Sequence, residues 1–144
     1  TDLELRPGRP AVVETDTMML DGDFTLWGVW PHMHNLGTKL RVTASRPGSE
    51  SCLAEVNHYD FHWQRFAFYE QPIAVPGGDP LGITCPYDPT SRDTTTTWGS
   101  GTADEMCIAF FYITEGSARS TARRPRAWSR ADQARPPGDA VTGC

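Results

Sequence analysis

His32 and His34 stand two residues apart in the run Phe24 to His34. If this run is a β-strand, residues i and i+2 project to the same side. Both imidazoles then face one way and can share a metal ion without bending the backbone. A plainer reading of His-x-His is a pair of core or surface histidines satisfied by hydrogen bonds. The surroundings favour a metal, because the pair follows Trp27 and Trp30 in an apolar strand, where imidazole nitrogens left without partners cost free energy. Met106, in Asp104-Glu105-Met106-Cys107, is the candidate third donor. A methionine on a strand is more often core filler. Its thioether is nevertheless a soft donor that favours copper, above all Cu(I). Two histidines and one methionine leave a coordination position open. That suits a metal cycling between oxidation states and meeting dioxygen, whereas structural zinc prefers four closed ligands.

The other polar residues carry weaker signals. His58 and His62 would lie far apart on a strand and read as hydrogen-bonded residues near a loop. Asp104 and Glu105 adjoin Met106 and are candidates to support it, although solvated surface is the commoner fate of such a pair. Neither Gly-x-Ser-x-Gly nor a P-loop occurs. The four cysteines, Cys52, Cys85, Cys107 and Cys144, contain no Cys-x-x-Cys pair and allow three full pairings.

Strands must position these groups. Ala11–Met19, Phe24–His34, Lys39–Ser45, Cys52–Val56, Phe61–Tyr69, Ile73–Val75, Leu81–Cys85 and Asp104–Thr114 are predicted strands. Leu20-Asp21-Gly22-Asp23 reads as a hairpin turn, because Asp-Gly accepts positive φ. Phe24, Leu26, Gly28, Trp30, His32 and His34 are expected on one face of their strand, and Met106, Ile108, Phe110 and Tyr112 on one face of the last. No segment keeps helical periodicity over three turns. Short strands between Gly and Pro turns indicate an all-β sandwich or barrel.

Composition agrees. With 13 glycines, 12 prolines and 10% aromatics in 144 residues, the chain fits one turn-rich β domain. Residues 1–114 hold seven basic against fifteen acidic residues; residues 115–144 hold six against three. No basic stripe crosses the predicted domain, which argues against nucleic acid. No apolar run is long enough to span a bilayer, and Thr1 to Arg9 has no signal-peptide apolar stretch, so the chain reads as a mature or excised fragment. The 115–144 stretch, rich in Arg, Ala, Pro and Ser, is expected to be a disordered tail.

Taken together, the motifs resemble a known family. Trp30-Pro31-His32-Met33-His34-Asn35-Leu36-Gly37 is similar to the His-x-His-x-x-Gly motif of the copper type II, ascorbate-dependent monooxygenases. Asp104-Glu105-Met106-Cys107 resembles their Asp-Glu-Met-Cys motif. Asn57-His58-Tyr59, Phe61-His62-Trp63-Gln64, Pro76-Gly77-Gly78-Asp79 and Thr84-Cys85 with Tyr87 resemble the dopamine-hydroxylating members, in the same order. The resemblance covers roughly residues 3 to 113 and implies a jelly-roll-like antiparallel β-sandwich, the C-terminal domain of such an enzyme. It implies that His32, His34 and Met106 bind the copper that activates dioxygen for hydroxylating a C–H bond, with ascorbate as electron donor to the full enzyme. It also implies a Cys85–Cys107 disulfide and hence an extracellular, periplasmic or other oxidising compartment.

The departures carry information too. The family's second copper sits on an N-terminal domain with three histidines; this chain lacks that domain, and His58 and His62 are too few to rebuild it. The chain is therefore expected to bind one copper but to need a partner domain for coupled turnover. Peptide-amidating members have an arginine two positions before the first ligand histidine and a tyrosine four after the methionine. Trp30 and Phe110 stand there, which points to an apolar or aromatic substrate. Cys52 and Cys144 are left as a possible second pair. Two alternatives stay open: a non-catalytic copper-binding or interaction module on the same sandwich, and a zinc hydrolase built on His32, His34 and a carboxylate.

Overall fold

The computed structural model describes residues 3–116, and they form an antiparallel β-sandwich. The strands are β1 (Glu4–Leu5), β2 (Val12–Met19), β3 (Phe24–Met33), β4 (Leu40–Arg46), β5 (Ser49–Val56), β6 (Ala67–Val75), β7 (Pro80–Tyr87), β8 (Thr96–Thr97) and β9 (Cys107–Glu115). One sheet has the order β2-β7-β4-β5 and the facing sheet β6-β3-β9; β1 and β8 pair separately. The all-β expectation is borne out. No helix among the described residues is long and apolar enough to cross a membrane. Residues 117–144, and with them the expected tail and Cys144, lie outside the described residues.

Alternation along the strands builds the core. Leu26, Val29 and Met33 of β3 meet Leu40 and Val42 of β4, Leu53 of β5, Val75 of β6, and Leu81, Cys85 and Tyr87 of β7, all buried. Each fully buried side chain of this size contributes about 1.5–3 kcal/mol of hydrophobic stabilisation. The β4–β5 hairpin turns on a glycine with positive φ, Gly48 at φ +77°. Its type of turn is reserved for glycine because a Cβ there is strained.

Three expectations need correction. Leu20 to Asp23 is not a hairpin: β2 pairs with β7 and β3 with β6 and β9, so this segment crosses between sheets. It is held against the parallel crossing at 76–79, where Gly77 N donates to Asp23 Oδ1 and Gly78 N donates to Leu20 O, each at 3.0 Å. Second, β3 carries a register shift between Leu26 and Gly28. The extra residue reverses the alternation, so Leu26 joins Val29 and Met33 in the core while Gly28, Trp30 and His32 keep the opposite face. Third, Phe61–Trp63 is a 3₁₀ turn, not strand, because the Asp60 side chain accepts the His62 N–H and caps it. The true strand runs on through Ala67–Val75.

Candidate metal centre

β3 and β9 are the two middle and edge elements that bring the sequence motifs together. Their ladder pairs Trp30 with Phe110, His32 with Ile108 and Met33 with Cys107. The ladder ends there, with His34 the next residue after β3 and Met106 the residue just before β9. Directly opposed residues of an antiparallel pair project to one face, so Trp30, Phe110, His32 and Ile108 share a face that runs to the end of the sheet.

The two imidazoles are neighbours. Their ring centroids lie 5.2 Å apart with planes at 82°. His34 is buried and His32 half-buried. Each ring is fixed through the same nitrogen. His34 Nδ1 bonds the backbone oxygen of Asp104 at 2.9 Å, and His32 Nδ1 bonds Oε1 of Gln64. Both partners are carbonyl oxygens, which only accept, so each Nδ1 carries the proton and each Nε2 keeps its lone pair. Gln64 is itself oriented, because its Nε2 donates to Phe61 O at 2.8 Å, which turns Oε1 towards His32. A hydrogen bond to the distal ring nitrogen is how metal-binding histidines are commonly aimed and made more basic.

A buried carboxylate ties the two motifs. Glu105 is fully buried and accepts the N–H groups of His34 (2.9 Å), Leu36 (2.5 Å) and Met106 (3.3 Å). It therefore holds the end of the histidine strand against the start of the methionine strand. Asn35 Nδ2 adds a bond to Thr102 O at 3.1 Å. From inside the sandwich, Tyr59 grips the residue between the histidines: its hydroxyl accepts Met33 N–H at 2.8 Å and donates to Met33 O at 2.6 Å. Burial pushes the Tyr59 phenol up to about 12, so it stays a donor across the physiological range.

The opposite sheet fixes Met106 at two points. Cys85 of β7 is disulfide-bonded to Cys107, with Cα atoms 6.0 Å apart. Two residues on, Tyr87 donates its hydroxyl to Met106 O at 3.0 Å. Cys85 and Tyr87 share the inner face of β7 and bracket the backbone of the candidate ligand. This disulfide bears out the expected pairing.

His58 and His62 stay apart from this group. His62 is exposed and bonds Asp60 Oδ1 at 3.2 Å. Among the described residues no three His, Cys, Asp or Glu side chains converge to hold a metal. The zinc reading therefore finds no third ligand of its kind among them. Adjacency to Met106 in the sequence points to Glu105 as an adjunct but not to Gln64, Tyr59 or Tyr87. Gln64 escapes a sequence reading because the 3₁₀ turn redirects this residue out of a strand pattern; the Asp60 cap is the available signal.

Residues 11–122 match the family described as copper type II ascorbate-dependent monooxygenase, C-terminal domain. The chain belongs to this copper monooxygenase family. Its relatives include tyramine beta-hydroxylase of Caenorhabditis briggsae, 37% identical over 84 residues, which is 56% of this chain and 14% of that protein. DBH-like monooxygenase protein 1 of Gallus gallus is 33% identical over 86 residues, 59% of this chain and 14% of that protein. Dopamine beta-hydroxylase of Homo sapiens is 30% identical over 82 residues, 56% of this chain and 13% of that protein. The matched part is thus about a seventh of the length of these relatives. In copper monooxygenase terms, the matched 11–122 region contains every residue described above around His32 and His34.

Proposed function

We propose that this chain is the oxygen-activating copper domain of an ascorbate-dependent monooxygenase that hydroxylates a C–H bond of a small organic substrate, with His32, His34 and Met106 as the copper ligands. The observation that carries the reading is the pairing of the histidines: their rings are neighbours and both Nδ1 atoms are committed to carbonyl oxygens, so both Nε2 atoms are left as donors. Two imidazoles and a thioether form a soft, three-donor set with room for a further ligand, which fits copper better than zinc or magnesium. When bound, copper would supply the redox chemistry by which dioxygen is reduced and one oxygen atom inserted.

The chain's own residues do the positioning. Gln64 and the Asp104 carbonyl hold the two rings in the tautomer that binds metal. Glu105, Tyr59 and Tyr87 hold the backbone on either side, so the donors are set before metal arrives. The burial of His34 and the partial burial of Tyr59 keep water from the rear of the site. The electrons for the second half of the reaction would come from ascorbate through a separate N-terminal copper domain, in the same protein or another chain. The Cys85–Cys107 bridge suits an oxidising compartment. No nucleic-acid partner enters this reading. Residues 1–114 act as the functional unit, with the 115–144 segment as an appendage.

A reconstitution tests the enzyme reading against a copper-storage module. The chain is combined with the N-terminal domain of a relative, ascorbate, a panel of small aromatic and alkyl compounds and isotopically labelled dioxygen. Labelled hydroxylated product that disappears with Met106→Ala supports the enzyme. Copper binding without labelled product from any compound supports the module.

A further inference from the structure

The face of β3 that carries His32 continues into an exposed band of aromatic rings. Trp30 lies 5.9 Å from the His32 ring and 5.4 Å from Phe110, its cross-strand partner. The next row pairs Gly28 with Phe68 on one side and Tyr112 on the other, and the Phe68 and Tyr112 rings are 6.4 Å apart. Phe66 completes the band, 4.9 Å from Phe68. Gly28 makes room for it: a Cβ there would meet Phe66 Cε1 at 2.5 Å and Ala67 O at 2.6 Å. These rings are not core. Trp30, Phe66, Phe110, Tyr112 and Phe68 are 37%, 40%, 48%, 55% and 71% exposed. A contiguous apolar surface of this kind on a monomer marks a place where something binds.

We infer that this band is the substrate platform of the proposed enzyme, and that its substrate is an uncharged, elongated, apolar molecule. The inference rests on the copper reading for the identity of the reacting end, and on the following for the rest. Two residues along a strand span about 7 Å, so the Trp30–Phe110 row lies one ring's width from His32 and the Phe68–Tyr112 row about 14 Å away. Phe66, Phe68 and Tyr112 of this band, with Phe111 from the core-packed side of β9, line an open depression of about 540 Å³, a volume within the range of small-molecule sites. A single small ring would cover one row; a molecule matched to the whole band is longer.

Charge decides the rest. Between Gly28 and His32 the outward positions of β3 and its partners are Phe68, Gly28, Tyr112, Trp30, Phe110, His32 and Ile108, with no carboxylate, guanidinium or ammonium. Arg65, next to Phe66 in sequence, stacks over Trp63 at 5.5 Å. A carboxylate laid on this band would lose hydration and gain no counter-charge. Between Gly28 and His32 an ammonium would gain only an open-face contact with rings, about 0.5–1 kcal/mol at exposed sites, less than its hydration is worth; Glu70, two residues past Phe68 on β6, lies outside that stretch.

Three compounds with one carbon skeleton test this: phenylbutanol, phenylbutylamine and phenylbutyrate. Each is titrated into the full chain, with and without Cu(I), and followed by indole NMR shifts and tryptophan fluorescence. Phenylbutanol is expected to bind about tenfold more tightly than either charged compound, a difference of about 1.4 kcal/mol. Trp30→Ala and Phe110→Ala are each expected to weaken it about fivefold, while the bulk-retaining Trp30→Phe restores most of the affinity if truncation disturbs the fold. Equal or tighter binding of the amine or the carboxylate overturns the inference. So does a dimer in sedimentation that Phe68→Ser and Phe110→Ala convert to monomer, since a second copy would then be what covers the band. Neutral-ligand binding by a chain that takes up no copper would leave the band standing and defeat only the metal reading.

Discussion

The buried carboxylate of Glu105 accepts the backbone N–H of His34 at 2.9 Å and, through its other oxygen, that of Leu36 at 2.5 Å. No sheet ladder joins these two segments at that point, so one side chain takes the place of the ladder. Glu105→Ala is expected to strand these donors in a dry site and to cost about 3 kcal/mol in urea unfolding. Glu105→Gln keeps one acceptor oxygen and is expected to cost about half as much. A loss below about 0.5 kcal/mol for the alanine variant, within the range of ordinary surface substitutions, would show that Glu105 is not holding the strands.

Gln64 touches His32 and no other candidate ligand. Gln64→Leu is therefore expected to leave folding nearly unchanged while lowering Cu(I) affinity by about 10–100-fold, as loss of a histidine's outer hydrogen bond commonly does. Competition with a chelator of known affinity measures this. Unchanged affinity would mean that the His32 ring is oriented by something else.

Three phenols, Tyr87 buried and Tyr59 and Tyr69 half-buried, set an alkaline limit on stability. Burial raises Tyr59 to about 12 from an ordinary 10, with the carboxylates of Glu105 and Asp60 pushing the same way, and burial also raises Tyr69 and Tyr87 well above 10. Raised pKa values mean that the folded state resists losing these protons. Their contribution is fully present below pH 10 and is lost as pH rises through about 12. Phenolate absorbance and loss of near-ultraviolet circular dichroism should thus appear together in one alkaline transition. Phenolate signal from all tyrosines near pH 10, with structure intact, would contradict this.

The Cys85–Cys107 bridge closes a separation of 22 residues. On the chain-entropy model its reduction is expected to lower stability by about 3 kcal/mol. Because Cys107 adjoins Met106, hydrogen exchange at Met106 and Cys107 should rise more than at β4 and β5. Uniform exchange across both sheets would mean that the bridge stabilises the domain without locating Met106.

Much of this arrangement was legible in the sequence because it rests on period-two patterning. The shared face of Gly28, Trp30 and His32, and that of Ile108, Phe110 and Tyr112, follow from alternation alone. What failed was non-local or depended on one residue. The register shift at Trp27 moved Leu26 into the core, and nothing in Phe24-Thr25-Leu26-Trp27 announces it. Asp21-Gly22 looks like a hairpin turn by local chemistry, yet Gly22 does not adopt positive φ, since the strands it joins belong to different sheets. Tyr59 and Tyr87 act through contacts 26 and 19 residues away in the chain, so no local pattern could have revealed them.

The central claim is that the Met106 sulfur completes the donor set begun by His32 and His34. X-ray absorption of the Cu(I)-loaded chain tests it most directly. One copper per chain is expected, with both nitrogen and sulfur scattering, the sulfur component vanishing in Met106→Ala and the copper itself lost in His32→Ala with His34→Ala. A sulfur component that persists in Met106→Ala, or a wild-type spectrum with nitrogen and oxygen alone, would contradict it.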